Sequence, residues 1–241
     1  MHTLFKKIRE RLKKAPRPRP ADWGDIADSE LYRPLFSPWL GGGRFGEYYG
    51  RAAGRTVVSR DRCYVLYVLI QQALYVEGDI WECGVYRGGT AAMIAAIMKD
   101  SDTTKKLYLF DTFEGMPATD GEKDWHKKGD FSDTTDDEVR RFVGCEDFCA
   151  LRKGFMPDTF NGLESATIAF VHIDVDIYRS VLDCLEFVWP RLSVGGFIVF
   201  DDYGHPTCPG ARQAVDEFFS EKKSFPLCLA SGQAVVFKGS E

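Results

Sequence analysis

The chain has 241 residues, a formal net charge of −5 and seven cysteines. This length fits one α/β domain with appendages, with a core large enough to need no staples. The acidic balance argues against nucleic acid as a partner, and no apolar run approaches the length of a membrane span.

The N-terminus shows no apolar signal region, and the cysteines, odd in number, lie mostly inside apolar runs. Reduced thiols in a cytoplasmic protein are therefore expected. Cys145 and Cys149 are spaced as a metal pair would be, but no second Cys/His pair accompanies them.

Residues 1–20 read as a basic arm, solvated or in contact with an anionic surface or a partner subunit. Lys6, Lys7, Arg9, Arg11, Lys13 and Lys14 surround Leu4, Phe5, Ile8 and Leu12 at helical spacing, and Pro16, Pro18 and Pro20 end any helix. Residues 21–60 read as irregular. Gly41, Gly42, Gly43 and Gly46 interleave with Trp39, Phe45, Tyr48 and Tyr49, a composition expected of a mobile lid or an oligomer contact. A homo-oligomer, dimer or larger, is expected.

From residue 61 a βα rhythm follows. A helix is predicted over 61–77, a strand over Asp79–Cys83, a helix over 88–99 and a strand over Lys106–Asp111. A long charged connection over 114–146 carries a short helix near 135–143. Strands follow at Phe148–Arg152, Thr167–Asp174 and Gly196–Asp201, with helices over 178–189 and 209–221. The chain closes on a hairpin, Leu227–Ala230 and Ala234–Lys238. Alternation of this kind predicts a doubly wound, mostly parallel sheet.

Ligands of such sheets bind at the carboxyl ends of the strands. Asp174-Val175-Asp176 and Asp201-Asp202 each follow an apolar, β-branched run, 27 residues apart when counted from Asp174 to Asp201. One right-handed crossover brings them to the same edge. Carboxylates converging there make an oxygen-rich site for a hard cation such as Mg²⁺. Asp176 has a second reading, as the cap of the helix at Tyr178. His172 reads as a core histidine and His205 as a loop residue within reach of a substrate.

The turn after the first strand, Glu82 to Thr90, is glycine-rich, but Tyr86 stands where a dinucleotide fold needs a second glycine. Glu82 suits a ligand ammonium and Asp111 a ribose. Together they favour S-adenosylmethionine (SAM) over NAD. The Asp-x-Asp element also occurs in metal-dependent glycosyltransferases, and a catalytically silent SAM-binding protein is a further alternative.

The strings WECGVYRGGT, LFDTFEGMP, GDFSDT, HIDVDIYRS, GGFIVFDDYG and PGARQAVDEF give the chain, from about Thr56 to Lys238, a resemblance to the macrocin O-methyltransferase family, the sugar O-methyltransferases of antibiotic pathways. The resemblance implies a class I SAM-dependent methyltransferase fold with a seven-stranded sheet over 61–241, and Mg²⁺-dependent methyl transfer to a hydroxyl of a sugar or glycoside. It implies Asp174, Asp201 and Asp202 as metal ligands, with Asp176 or Asp174 as the base. Glu82, Gly84, Tyr86, Gly88 and Thr90 would line the methionine end of the cofactor, Asp111 would hold the ribose, and Ser132, Gly154 and Phe155 would lie near the adenine. More distantly the pattern is similar to catechol O-methyltransferase, whose lysine base is replaced here by Ile177.

Overall fold

The computed structural model describes residues 36–240. The basic arm, 1–20, and the first part of the expected lid lie outside them. Seven strands form one sheet in the order β3-β2-β1-β4-β5-β7-β6. They are β1 (Asp79–Cys83), β2 (Leu107–Asp111), β3 (Cys149–Lys153), β4 (Ile168–Ile173), β5 (Leu192–Phe200), β6 (Leu227–Cys228) and β7 (Ala234–Phe237). The first five run parallel, while β7 pairs antiparallel with both β5 and β6. Among the described residues the α-helices are α1 (Arg44–Ala52), α2 (Arg60–Ala73), α3 (Gly89–Lys99), α4 (Asp136–Val143), α5 (Tyr178–Val188) and α6 (Pro209–Phe219). They divide between two apolar layers. Phe45, Leu66, Met93 and Ile94 belong to one, and Val181, Leu185, Ala214 and Phe219 to the other. This is the doubly wound arrangement expected of alternating βα units.

β4 is buried along its whole length, as a central parallel strand covered on both faces must be. β5 begins at Leu192, four residues before its predicted start. Gly195-Gly196 stands at the predicted strand start. In the sheet it lies in a register shift between Ile168↔Leu192 and Phe170↔Phe197, where a bulge lets the strand continue.

The segment expected to be irregular is partly helical. Phe45, Tyr48 and Ala52 of α1 fall on one face and are buried. Phe45 packs edge-on to Tyr64 with ring centroids 5.0 Å apart, and Tyr48 lies 5.9 Å from Tyr67. The Tyr48 hydroxyl donates to Asp100 Oδ2 at 2.9 Å. Residues from Pro38 onward form one compact unit. The stretch 38–60 packs with the sheet domain, its aromatics Phe45 and Tyr48 closing the core beside α2 and α3.

The cysteines also differ from expectation. A disulfide joins Cys145, in the turn after α4, to Cys149, the first residue of β3. The other five are free, four of them buried and Cys228 exposed. Among the described residues no helix is long and apolar enough to cross a membrane.

Candidate active site

The carboxyl ends of β1, β2, β4 and β5 open on a cavity of about 490 Å³, within the size range of small-molecule sites. The strands approach closely at its floor. A Cβ on Gly84, whose φ is +88°, would lie 1.7 Å from the Asp174 carbonyl oxygen. Only glycine fits there, and it lets the β1 turn lie directly against the end of β4. Gly89 plays the corresponding part at the start of α3. A side chain there would meet the Arg55 backbone at 2.7 Å, so the wall formed by Arg55, Thr56 and Val57 can rest on the helix.

Asp174, Asp176, Asp201 and Asp202 all line this cavity. Asp201 sits in a buried polar network. Its Oδ2 accepts from Arg62, its Oδ1 accepts from Gln233 Nε2 at 2.8 Å, and His172 Nε2 lies 3.4 Å from Oδ1. His172 Nδ1 lies 3.0 Å from Glu82 Oε1. Arg62 is itself held, with Nε donating to Ser59 Oγ at 3.0 Å and Nη2 to the Val57 carbonyl at 3.1 Å.

The four carboxyls titrate differently. Asp201 is pulled below the usual carboxylate range. Burial would raise it, but His172, Arg62 and Gln233 outweigh burial. Asp174 is pushed well above that range by burial and then by the charge on Asp201. Asp202 is pushed well above it by burial and then by Asp176 and Asp174. Asp176 is raised by burial, partly offset by His126. Burial would push the His172 imidazole down, but its bonds to Asp201 and Glu82 win and raise it to about 10.

This cluster fits a divalent cation. Ligand atoms of Asp174, Asp201 and His172 lie within 4.8 Å of one another, and beyond burial the charge of Asp201 raises Asp174, as those of Asp176 and Asp174 raise Asp202. The carboxylates supply the oxygen donors that a hard ion prefers.

Asp176 does not cap α5. The N-cap of that helix is Ile177, without a side-chain bond. Asp124, from the long connection, supplies the cap, its Oδ1 accepting from the Tyr178 N–H at 2.9 Å. Asp176 is thereby left facing the cavity. Its backbone N–H donates to Asp202 Oδ2 at 3.1 Å, and its φ is +59°, a region a non-glycine residue rarely adopts.

The expected cofactor residues divide. Gly84, Tyr86, Thr90, Asp111 and Phe155 line the cavity; Glu82, Gly88, Ser132 and Gly154 do not. Glu82 is fully buried and turned to His172, with its Oε2 unpartnered. Gly88 is buried as the left-handed N-cap of α3. Ser132 is exposed. Gly154 adopts φ +139° beside Thr159, its N–H bonded to the Asp111 carbonyl. Asp111 is on the wall but already engaged. Its Oδ2 accepts from the N–H groups of Val85 at 2.7 Å and Tyr86 at 2.8 Å, which holds the glycine turn, and its Oδ1 accepts from the Phe113 N–H at 2.8 Å.

His205 is an exposed loop residue that lines the cavity, and His172 is a core residue. Arg62, His126, Gln233 and Cys208 take part in the site or its support without a signal in the sequence. Each comes from a distant segment and follows no local motif.

Residues 48–238 match the macrocin-O-methyltransferase (TylF) family. The 8-demethyl-8-(2,3-dimethoxy-alpha-L-rhamnosyl)-tetracenomycin-C 4'-O-methyltransferase of Streptomyces olivaceus is 34% identical over 155 residues. That match covers 59% of this chain and 58% of the relative, so the chain spans under two thirds of that relative's length. The mycinamicin III 3''-O-methyltransferase of Micromonospora griseorubida is 30% identical over 189 residues, 72% of this chain and 73% of that one. Among solved structures, the O-methyltransferase NovP aligns with a TM-score of 0.69 at 24% identity, covering 77% of this chain and 83% of that chain. The shared architecture is the class I SAM-dependent methyltransferase fold. On the extent of these matches, the chain belongs to the macrocin O-methyltransferase family.

Proposed function

We propose that this chain is a SAM-dependent, divalent-metal-dependent O-methyltransferase acting on a hydroxyl of a sugar or glycosylated natural product. One observation carries the reading: four carboxyls from the ends of β4 and β5 face the same cavity as the glycine turn after β1. The relative from Streptomyces olivaceus is named for a rhamnosyl-bearing acceptor. Family membership sets aside the glycosyltransferase alternative.

Gly84, Tyr86, Thr90 and Asp111 would hold the cofactor, which supplies an electrophilic methyl group. Asp174, Asp201 and Asp202 would hold the metal, which when bound supplies Lewis acidity and a template for vicinal hydroxyls. The protein's own task is to keep the acceptor oxygen and the methyl carbon about 3–3.5 Å apart and in line. Asp176, with Asp174 as the alternative, takes the hydroxyl proton on a carboxylate oxygen. Burial raises the proton affinity of both. Ile177 presents only hydrocarbon where the catechol enzymes place a lysine, so no lysine acts as base from that position. Val57, Met116, Pro117 and Phe155 give the cavity an apolar wall that limits water.

The test is incubation with methyl-labelled SAM and a panel of glycosides bearing vicinal hydroxyls. Label should pass to at least one glycoside, stop with excess chelator and return with Mg²⁺. A protein that binds SAM but labels nothing would be the silent alternative.

A further inference from the structure

At the edge of the carboxylate cluster, Cys208 and His126 meet Asp176. Cys208, the residue before α6, places its Sγ 3.4 Å from Asp176 Oδ1 and 3.6 Å from His126 Nε2. His126 Nε2 lies 3.6 Å from Asp176 Oδ1. The three atoms make a nearly equilateral triangle. A tetrahedral ion with bonds of about 2.3 Å to sulfur and about 2.0–2.1 Å to nitrogen and oxygen holds its ligands roughly 3.3–3.6 Å apart. The triangle already has that size.

The imidazole is set for ligation. His126 Nδ1 lies 3.3 Å from Asp130 Oδ2, and the same oxygen accepts from the Lys127 N–H at 2.9 Å. Asp130 therefore favours the proton on Nδ1 and leaves the Nε2 lone pair facing Cys208 and Asp176. A carboxylate behind the histidine is the usual way a zinc-ligating imidazole is oriented. Asp176 is fixed from its own side by the bond of its N–H to Asp202. Cys208 is 2% exposed, whereas His126 and Asp176 both line the cavity, so a fourth coordination position opens on it. The donors also select the ion. A thiol and an imidazole suit zinc and its analogues, and the all-oxygen set of Asp174, Asp201 and Asp202 suits magnesium.

We propose that His126, Asp176 and Cys208 form a second metal site, for a thiophilic divalent ion of the zinc class, with its open position on the cavity. On binding, the Cys208 S–H bond breaks, a sulfur–metal bond forms and the proton leaves to solvent, with no change of oxidation state. Occupancy engages the Asp176 oxygen. This consequence, unlike the site itself, rests on the proposed methyl transfer: with Asp176 as the base, zinc suppresses turnover.

The probe is Co²⁺, titrated into the full chain with Mg²⁺ in excess to fill the oxygen site. One equivalent should produce thiolate-to-cobalt charge-transfer absorption and intense tetrahedral d–d bands. Cys208→Ser should abolish the charge-transfer band. Asp130→Asn, which keeps all three ligands, should weaken Co²⁺ binding about 10–100-fold. Absence of the band in the wild type, or its survival in Cys208→Ser, would overturn the site. A separate arm reads methyl transfer against added Zn²⁺. Inhibition that parallels occupancy supports Asp176 as the base, and full occupancy without inhibition keeps the site but removes Asp176 from that role.

Discussion

Arg62 of α2 donates to Asp201 at the end of β5, 139 residues away, and so brings a guanidinium to the carboxylates proposed to hold the metal. Burial would lower its affinity for its proton, but Asp201, Asp174 and Asp202 together raise it. In the protein without metal, Arg62 thus shares with His172 the counter-charge of the cluster. Its bonds to Ser59 and Val57 tie it to the segment that forms the cavity wall.

Arg62→Met tests that relationship. Removing one partner of a largely buried pair costs about 3–5 kcal/mol when it leaves the other charge unpaired; the figure is an upper bound here because His172 and Gln233 remain on Asp201 and the Arg62 side chain retains 12% exposure. The metal-free variant should melt at a lower temperature, and Mg²⁺ should raise its Tm by more than it raises that of the wild type. Equal Mg²⁺-induced shifts in the two proteins would show that Arg62 does not balance the cluster.

Gly84→Ala should fail for a steric reason. The new methyl group would lie 1.7 Å from the Asp174 carbonyl oxygen, at a φ of +88°. The loss of stability should exceed the ~0.5–3 kcal/mol of ordinary substitutions. Circular dichroism during urea unfolding reads it directly, and a variant within about 0.5 kcal/mol of the wild type would contradict the close approach.

Asp124→Ala removes the cap on the Tyr178 N–H and should cost about 1 kcal/mol, measured by the same unfolding curves. Asp124 is on the chain segment that also carries His126, so the variant should weaken Co²⁺ binding as well. Asp124→Asn, which keeps an acceptor oxygen, should recover most of the stability.

The strand ends were legible because hydrophobic runs and the strand–helix–strand interval fix which residues reach the edge of a parallel sheet. Asp174, Asp176, Asp201 and Asp202 met there for that reason. Glu82 behaves differently. Its place at the end of β1 was legible, but its direction was not. His172, its register partner on β4, takes the carboxylate into the core. Asp111 likewise reaches the edge and then spends its oxygens on the turn beside it. Asp124, His126 and Cys208 come from connections whose path no periodicity describes. Trp39, Phe45, Tyr48 and Tyr49 looked like cover for a ligand because composition does not reveal which surface an aromatic faces.

For α1 this yields a distinct expectation. Phe45 and Tyr48 pack within the chain against Tyr64 and Tyr67. The amides of Tyr48 and Ala52, which lie past the first turn of the helix, should be protected from hydrogen exchange without ligand and at any protein concentration. Fast exchange that slows only with cofactor and acceptor would restore the lid, and protection lost on dilution would point to an interface between copies.

The central claim is that Asp201, with Asp174 and Asp202, holds a metal needed for the methyl-transfer step and not for cofactor binding. Asp201→Asn, compared with the wild type in calorimetric titration with SAM and in labelled methyl transfer with Mg²⁺, separates the two. The account predicts that turnover is abolished while SAM affinity stays within about tenfold, about 1.4 kcal/mol. Turnover that survives in the variant, or wild-type turnover that continues in excess chelator, would contradict it.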